Sequence, residues 1–262
     1  MICFETNSLH AQVARSNRLR QPVGTTFAVC AVATAKVVIL RSNIPRLRET
    51  CRDLSAVLDV GGWHNPFNLA THVLDIMPYE TRRTHEALDP EDDERFTGDT
   101  WLIHDACAGD WPWPDNYFDF SICSHTLEDV RDPIVIASEL SRVSKAGYIE
   151  VPSWAREIFI KDRFWRWRMI GGHPPEIGFP HHRWLCELND GELHFYQKDA
   201  QIGLDRRNYI SRSDLGRKKM TESEAGIGIF WTDTIAAREI IVTSDTLLAE
   251  KRAQLLQQLR QA

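Results

Sequence analysis

The residues best placed to do chemistry in this chain are acids standing in or at the end of short apolar runs. Asp59 sits within Val57-Leu-Asp-Val60, which stops at Gly61-Gly62; Asp75 closes the run that starts at His72, next to Ile76; Asp105 follows Trp101-Leu-Ile-His104. Two glycines directly after a strand let the backbone turn sharply and approach a ligand, because no Cβ intervenes. An acid at the end of the next strand can accept hydrogen bonds from two ribose hydroxyls, as nucleotide sites in doubly wound sheets do. The plain alternative is a strand-turn-strand with a surface acid. A second group is made of histidines. His125 follows the apolar run Phe120–Cys123, and His181-His182 opens a later strand. A neutral imidazole in such a place can take a proton from an acceptor hydroxyl; local hydrogen bonding is the simpler role for each. No metal is expected, since adjacent residues on a strand point to opposite faces and no acid has ligand spacing to the pair.

The elements that must position these groups alternate in type. Strands of about five residues at 57–60, 72–76, 101–105, 120–123 and 148–152 are separated by loops and helical segments. Ile44–Ala56 reads as a helix capped by Ser42 or Asn43 with Pro45 in its first turn. Another helix starts at Asp132-Pro133 and puts Ile136, Leu140 and Val143 on one face before Lys145-Ala-Gly147 ends it. Such alternation implies a parallel sheet covered on both faces. The segment 78–96 is charged and reads as a solvated loop.

The 262 residues suffice for one large domain with a sizeable core, and 43% hydrophobic with 26% charged residues is a soluble globular composition. A formal net charge of −6 argues against a nucleic-acid partner. Six cysteines without a C-x-x-C pair favour free thiols in a reducing compartment, hence a cytoplasmic protein. Residues 1–43 form an N-terminal extension. Its arginines, the apolar run from Val23 to Leu40 and the Ala-x-Ala spacing resemble an export signal, but Lys36 interrupts the run and the leader is long. A peripheral element, or a start placed too early, is the reading preferred.

Residues 57–152 resemble a class I S-adenosylmethionine-dependent methyltransferase of the small-molecule type. Leu58-Asp-Val-Gly-Gly62 resembles that family's first motif, and Asp75 its ribose-binding acid. His104-Asp-Ala106 resembles the motif that meets adenine, Trp111-Pro-Trp-Pro-Asp-Asn-Tyr-Phe-Asp119 the approach to the fourth strand, and Ser124–Pro133 and Arg142–Gly147 the segments that follow it. The resemblance implies a Rossmann-like, doubly wound, mostly parallel α/β sheet and S-adenosyl-L-methionine as cofactor. It also implies a cofactor site lined by Asp59, Gly61, Gly62, Asp75, Ile76, Asp105, Ala106 and Ser124. Two departures stand out. Trp63 occupies a place that the family fills with glycine, where an indole would either crowd the methionine end of the cofactor or wall its pocket. Only sixteen positions separate Asp59 from Asp75, against about 20 in a strand-helix-strand nucleotide unit, so His64–Ala70 replaces the first helix with a loop or single turn.

Residues 44–152 are thus the expected cofactor-binding core and 153–262 a divergent substrate-side portion of the same domain. Ser153–Ile170 is expected to be helical, with interleaved aromatics and arginines. It reads as an amphipathic helix packed on the sheet, with a lid over a sugar or aromatic acceptor, or a surface for lipid headgroups, as alternatives. Asn189-Asp-Gly191 between alternating strands signals a hairpin. Basic residues at 206–219 suggest a solvated loop; 227–230 and 235–242 suggest late strands closing the sheet; 246–262 is a helical tail. The expected activity is methyl transfer to a small molecule or glycan at oxygen, with His125, His181 or His182 as the base. The alternative is a cofactor-binding scaffold of the same fold without turnover.

Overall fold

The computed structural model describes residues 40–82, 93–160, 164–173, 175–198, 202, 204–216, 219–242 and 246–261. The expectations for residues 1–39 therefore lie outside the described residues. From residue 40 onward the chain is tied into the fold: the Leu40 N–H donates to both oxygens of the buried Glu150 carboxylate at 3.0 and 2.8 Å.

Helix α1 (Ile44–Cys51) begins with Pro45 in its first turn and turns Leu47 and Cys51 inward. It ends five residues short of the expected Ala56, and the chain enters β1 (Val57–Val60) through an irregular segment. Strands β2 (His72–Asp75), β3 (Trp101–Ile103) and β4 (Phe120–Ser124) follow, with no helix between β1 and β2. Helix α2 (Pro133–Val143) starts where the sequence places it, because Asp132 accepts hydrogen bonds from the N–H groups of Ile134 and Val135 and Pro133 has no N–H to leave unpaired. Strand β5 (Ala146–Pro152) completes the parallel set.

The sheet order is β3-β2-β1-β4-β5, all parallel, extended at its edge by β8 (Gly226–Thr232) running antiparallel to β5. This is the Rossmann-like α/β architecture expected. The order reverses between β1 and β4, which opens a crevice at the carboxyl ends of those strands. Alternation along the strands sorts the core into two layers. Leu58, Val60, Leu74, Cys123, Ile149 and Val151 meet Ile136, Leu140 and Val143 of α2 on one face. Val57, Val73, Phe120, Ile122 and Tyr148 meet Leu47 and Cys51 of α1 on the other. Both faces are covered, so the strands read as near-continuous apolar runs.

Beyond β5 the structure departs from the sequence reading. The helix expected over 153–170 is two short pieces, α3 (Trp154–Glu157) and α4 (Trp165–Ile170). Between them Phe159 and Ile160 adopt extended backbone and bridge to Ile210 and Ile177, which ends α3 after one turn. The apolar side chains of α4 and its cap do not pack on the sheet: Phe164, just before the helix, Trp167 and Ile170 are exposed, and Trp165 stands edge-on to Tyr209. The hairpin is present as β6 (Trp184–Asn189) and β7 (Glu192–Gln197), with Asp190 and Gly191 at φ 48° and 82°, the left-handed pair its tight turn requires. One turn of helix, α5 (Glu222–Ala225), leads into β8. Strand β9 (Ala237–Ile240) pairs in parallel with β7, so of the two late strands only β8 joins the main sheet. The tail helix α6 (Leu247–Gln261) buries Leu256 and Leu259 in a third cluster with Trp154, Tyr196 and Ile210. No helix among the described residues is long and apolar enough to cross a membrane.

Candidate cofactor and acceptor site

Asp59 and Asp75 end up side by side at the mouth of the crevice. The Asp59 carboxylate is buried and accepts the Phe67 N–H at 2.8 Å. Burial lifts its pKa to about 7, against the Phe67 hydrogen bond, and the charge of Asp75 adds to the rise. Asp75 is raised too, again by burial, although the N–H groups of Met77, Trp63 and Ile76 oppose it. Its oxygens accept from Trp63 N–H at 3.0 Å and Met77 N–H at 2.8 Å. Each carboxylate oxygen has two acceptor directions, so a second donor per oxygen is chemically allowed. Ile76 follows with its side chain largely in solvent, 62% exposed.

The two glycines serve the protein's own packing. A Cβ on Gly61, whose φ is +78°, would fall 2.1 Å from Thr126 Oγ1, and one on Gly62 would fall 2.5 Å from Asp59 Oδ2. The close approach that the sequence reading reserved for a ligand is thus made by Thr126 and Asp59. Trp63 is pinned by its indole N–H to the carbonyl and hydroxyl of Thr81, both at 2.9 Å. Thr81 lies in the segment leaving β2, so the indole is drawn to the β2 side of the crevice and away from the end of β4.

Asp105 caps a single turn at Ala106–Ala108 by accepting the Cys107 N–H at 2.9 Å, and its other oxygen lies 3.3 Å from the Arg131 guanidinium. The Ala106 carbonyl accepts the indole N–H of the buried Trp111 at 3.1 Å, which fixes this turn against the β3 end. Ser124 is the last residue of β4, paired with Glu150 in register.

Past Ser124 lies a group of buried acids that the sequence reading did not single out. Glu128, Glu150 and Glu157 are fully buried, and Asp129, half-buried, lies beside them. His125, at φ 52°, holds Glu128 through Nδ1 at 3.2 Å and Glu150 through Nε2 at 3.0 Å. Burial would depress its pKa, but these hydrogen bonds and charges prevail and raise it to about 9. An imidazolium with both N–H groups donating has no lone pair for a substrate proton. His125 is therefore held as a charged clamp, and the geometry does not offer it as a base. Tyr148 donates its hydroxyl to Glu150 and accepts from the Asn43 amide.

His182 is buried and stacked on Phe179 at 4.5 Å between ring centroids. Its Nδ1 meets Glu157 at 2.8 Å, and Lys198 Nζ grips the other Glu157 oxygen at 2.6 Å. Burial works against ionising Glu157, yet His182 and Lys198 hold its pKa below the usual range. His181 is exposed, with its ring 4.6 Å from that of His182. The pair does not open a strand. It lies in the turn before β6, where strand alternation does not apply, so both rings face the same neighbour, Asp129. Burial raises Asp129 to about 7. The signal for Glu150 was available as a lone acid in the apolar run Tyr148–Val151; its partners were not.

Residues 65–149 match the family model described as a methyltransferase domain. Together with the sheet order, this makes the core of the chain similar to a class I S-adenosylmethionine-dependent methyltransferase domain. No curated protein matches the sequence. Among solved structures, it is similar to the N-terminal domain of EvdMO1 crystallised with SAH and D-fucose, at 19% identity and a TM-score of 0.32 over 44% of this chain and 52% of that one. The same domain with SAH gives 17% identity and a TM-score of 0.30 over 45% and 52%. A third likeness, at 14% identity and a TM-score of 0.29 over 62% and 78%, is to the complex of the Haloferax volcanii Trm112 methyltransferase activator with a methyltransferase candidate. This chain spans about half the length of the first two.

The residues present suit the cofactor of that class. Asp75 carries carboxylate acceptors of the kind ribose hydroxyls use, Ile76 carries an exposed apolar side chain, and Asp59 is a second acid close by. When bound, S-adenosylmethionine supplies a methyl group activated by a sulfonium.

Proposed function

We propose that this chain moves a methyl group from S-adenosylmethionine to an oxygen of a small hydroxyl-bearing molecule, sugars included. One observation carries the reading: two buried carboxylates, Asp59 and Asp75, stand near the carboxyl ends of β1 and β2, beside the point where the sheet order reverses, and the charge of Asp75 disfavours ionising Asp59. A cationic nucleoside relieves that repulsion, whereas a neutral or anionic ligand does not. Asp75 and Ile76 would hold the ribose and adenine, with Asp105 and Ala106 at the ring edge. Gly61, Gly62 and Ser124 would border the methionine end. Orientation would supply much of the rate, since the methyl group arrives activated. The acceptor would lie beyond β4, where Asp129, His181 and His182 offer acceptors for hydroxyl protons and take over the role expected of His125.

Titration calorimetry with S-adenosylmethionine and S-adenosylhomocysteine, on the wild type and Asp75→Ala, tests the cofactor half. Binding that the substitution removes supports it; a folded protein that binds neither compound refutes it. A screen of sugars and phenols with isotopically labelled methyl donor tests the acceptor half. The reading as a scaffold without turnover has its own support, because Thr126 fills the space beside Gly61 and both Asp75 oxygens already accept backbone N–H groups. It predicts cofactor binding with no labelled product from any acceptor. Four free thiols among the described residues, Cys51, Cys107, Cys123 and Cys186, suit the cytoplasmic setting we propose.

A further inference from the structure

The geometry points to a divalent transition-metal site formed by Asp129, His181 and His182 at the acceptor side of the crevice. One ligand atom from each of the three lies within 4.8 Å of the others. Two imidazoles and a carboxylate are a donor set suited to Zn²⁺, Mn²⁺, Fe²⁺ or Co²⁺. Donors on one ion with bonds of about 2.1 Å stand roughly 3 to 4 Å apart, so the three would close by about an ångström on binding.

Two independent features separate this cluster from an ordinary ion pair. The first is an orphaned oxygen. Asp129 Oδ1 is buried and accepts no hydrogen bond among the described residues, while His182 Nε2 stands 3.6 Å away, too far for one. A buried carboxylate oxygen without a donor is costly unless something else satisfies it. The second is the support behind His182. Its Nδ1–H donates to Glu157 at 2.8 Å, and Lys198 Nζ holds Glu157 at 2.6 Å and also donates to the Phe179 carbonyl at 2.8 Å. Metal-binding histidines characteristically donate their second N–H to a carboxylate, which fixes the tautomer and aims the other nitrogen at the ion. Here that nitrogen is aimed at the orphaned oxygen. The backbone repeats the alignment, since the Glu128 carbonyl accepts the N–H groups of Arg183 and Trp184 at 2.7 and 3.2 Å and so ties the histidine turn to the acid segment.

The wider charge balance also favours a cation. Four acids, Glu128, Asp129, Glu150 and Glu157, face His125, His182 and Lys198, and Glu128 Oε2 is a further buried oxygen without a hydrogen-bond partner among the described residues. An ion held here would occupy the lone pairs of Asp129, His181 and His182 and act in their place, binding an acceptor hydroxyl and making it easier to deprotonate. That use rests on the methyltransferase reading; the binding itself does not.

The test is a spectroscopic titration of the full-length protein, stripped with chelator, with Co²⁺ alone and no methyl donor. The wild type should bind one Co²⁺ with the visible absorption of a low-coordinate nitrogen-oxygen site. Asp129→Asn and the solvent-exposed His181→Ala should each weaken binding by at least about 10-fold. Unchanged melting temperatures in the absence of metal would show that both variants remain folded. If all three proteins bind Co²⁺ equally, or the wild type binds none, the site does not exist and the cluster is an ion pair. Calorimetry with S-adenosylhomocysteine on the same wild-type sample is read separately: failure there counts against the methyltransferase reading and leaves the Co²⁺ result intact.

Discussion

Asp59 gives the sharpest perturbation, because its cost can be worked from its surroundings. Its carboxylate is buried, takes a single hydrogen bond from the Phe67 N–H, and has its pKa lifted by burial from 3.8 to about 7. The folded protein therefore binds a proton at Asp59 that the unfolded chain has released, throughout the window between those two values. A group of this kind makes stability fall as pH rises across the window, by about 1.4 kcal/mol per pH unit. From pH 5 to pH 7 the loss is about 2 kcal/mol, and above pH 7 it levels off. Asp59→Asn removes the ionisation while keeping an amide oxygen to accept the Phe67 N–H. Urea unfolding at pH 5, 6, 7 and 8 should show the variant gaining on the wild type by about 3 kcal/mol between the ends of the series. A difference between the two proteins that does not change with pH would refute the reasoning, since Asp59 would then be ionised in the fold at all four values. The same logic reaches the cofactor. A bound sulfonium cation favours the ionised carboxylate, so S-adenosylmethionine should gain affinity from pH 6 to pH 8 in the wild type and not in Asp59→Asn. Neutral-sulfur S-adenosylhomocysteine should gain less.

His125 makes the opposite prediction: with its pKa raised to about 9, the stability it contributes is complete below pH 6.5 and is lost as pH rises through 9. The loss should be about 3 kcal/mol, read as a fall in urea midpoint between pH 7 and 10 that His125→Gln flattens. Gly61→Ala forces a Cβ to within 2.1 Å of Thr126 Oγ1 at a φ of +78°, and should lower stability by more than about 2 kcal/mol. Thr126→Ala in the same chain should recover part of that loss and not all of it, because the backbone strain remains. Asp75→Asn places an amide N–H₂ against the N–H of Trp63 or Met77, so it should weaken S-adenosylhomocysteine binding by at least about 10-fold in calorimetry and loosen the Trp63 loop to proteolysis.

Where local chemistry decides an element, the sequence was legible. Asp132-Pro133 can do little but start a helix, and Asn189-Asp-Gly191 little but turn a hairpin, and both do so. Asp75 closes β2, and Asp105 follows β3 by two positions, where the chain leaves the covered part of the sheet. What escaped the sequence depends on distant partners. Phe159 and Ile160 carry helix-compatible side chains, yet their backbone is claimed by Ile210 and Ile177. Strand β9 has the pattern to join either sheet, and its parallel pairing with β7 is settled by tertiary packing. The two glycines after β1 announced a close approach correctly, while its partner, Thr126, lies 65 positions away.

The same distinction separates the proposed cofactor side from the proposed acceptor side. A nucleotide site in a doubly wound sheet is built from successive strand ends, so its residues are ordered in the sequence as they are in space. The acid-histidine group beyond β4 has no such order. Asp129 comes from the segment after β4, Glu157 from the single turn of α3, His182 from the turn before β6, and Lys198 from the end of the hairpin. Each is unremarkable alone, and as an exposed residue would carry almost no free energy. Burial changes that, because Glu157 at full burial tolerates its charge only while both His182 and Lys198 remain in place. Four segments must therefore dock together or not at all, which gives the proposed acceptor side the rigidity that in-line transfer of a methyl group would require.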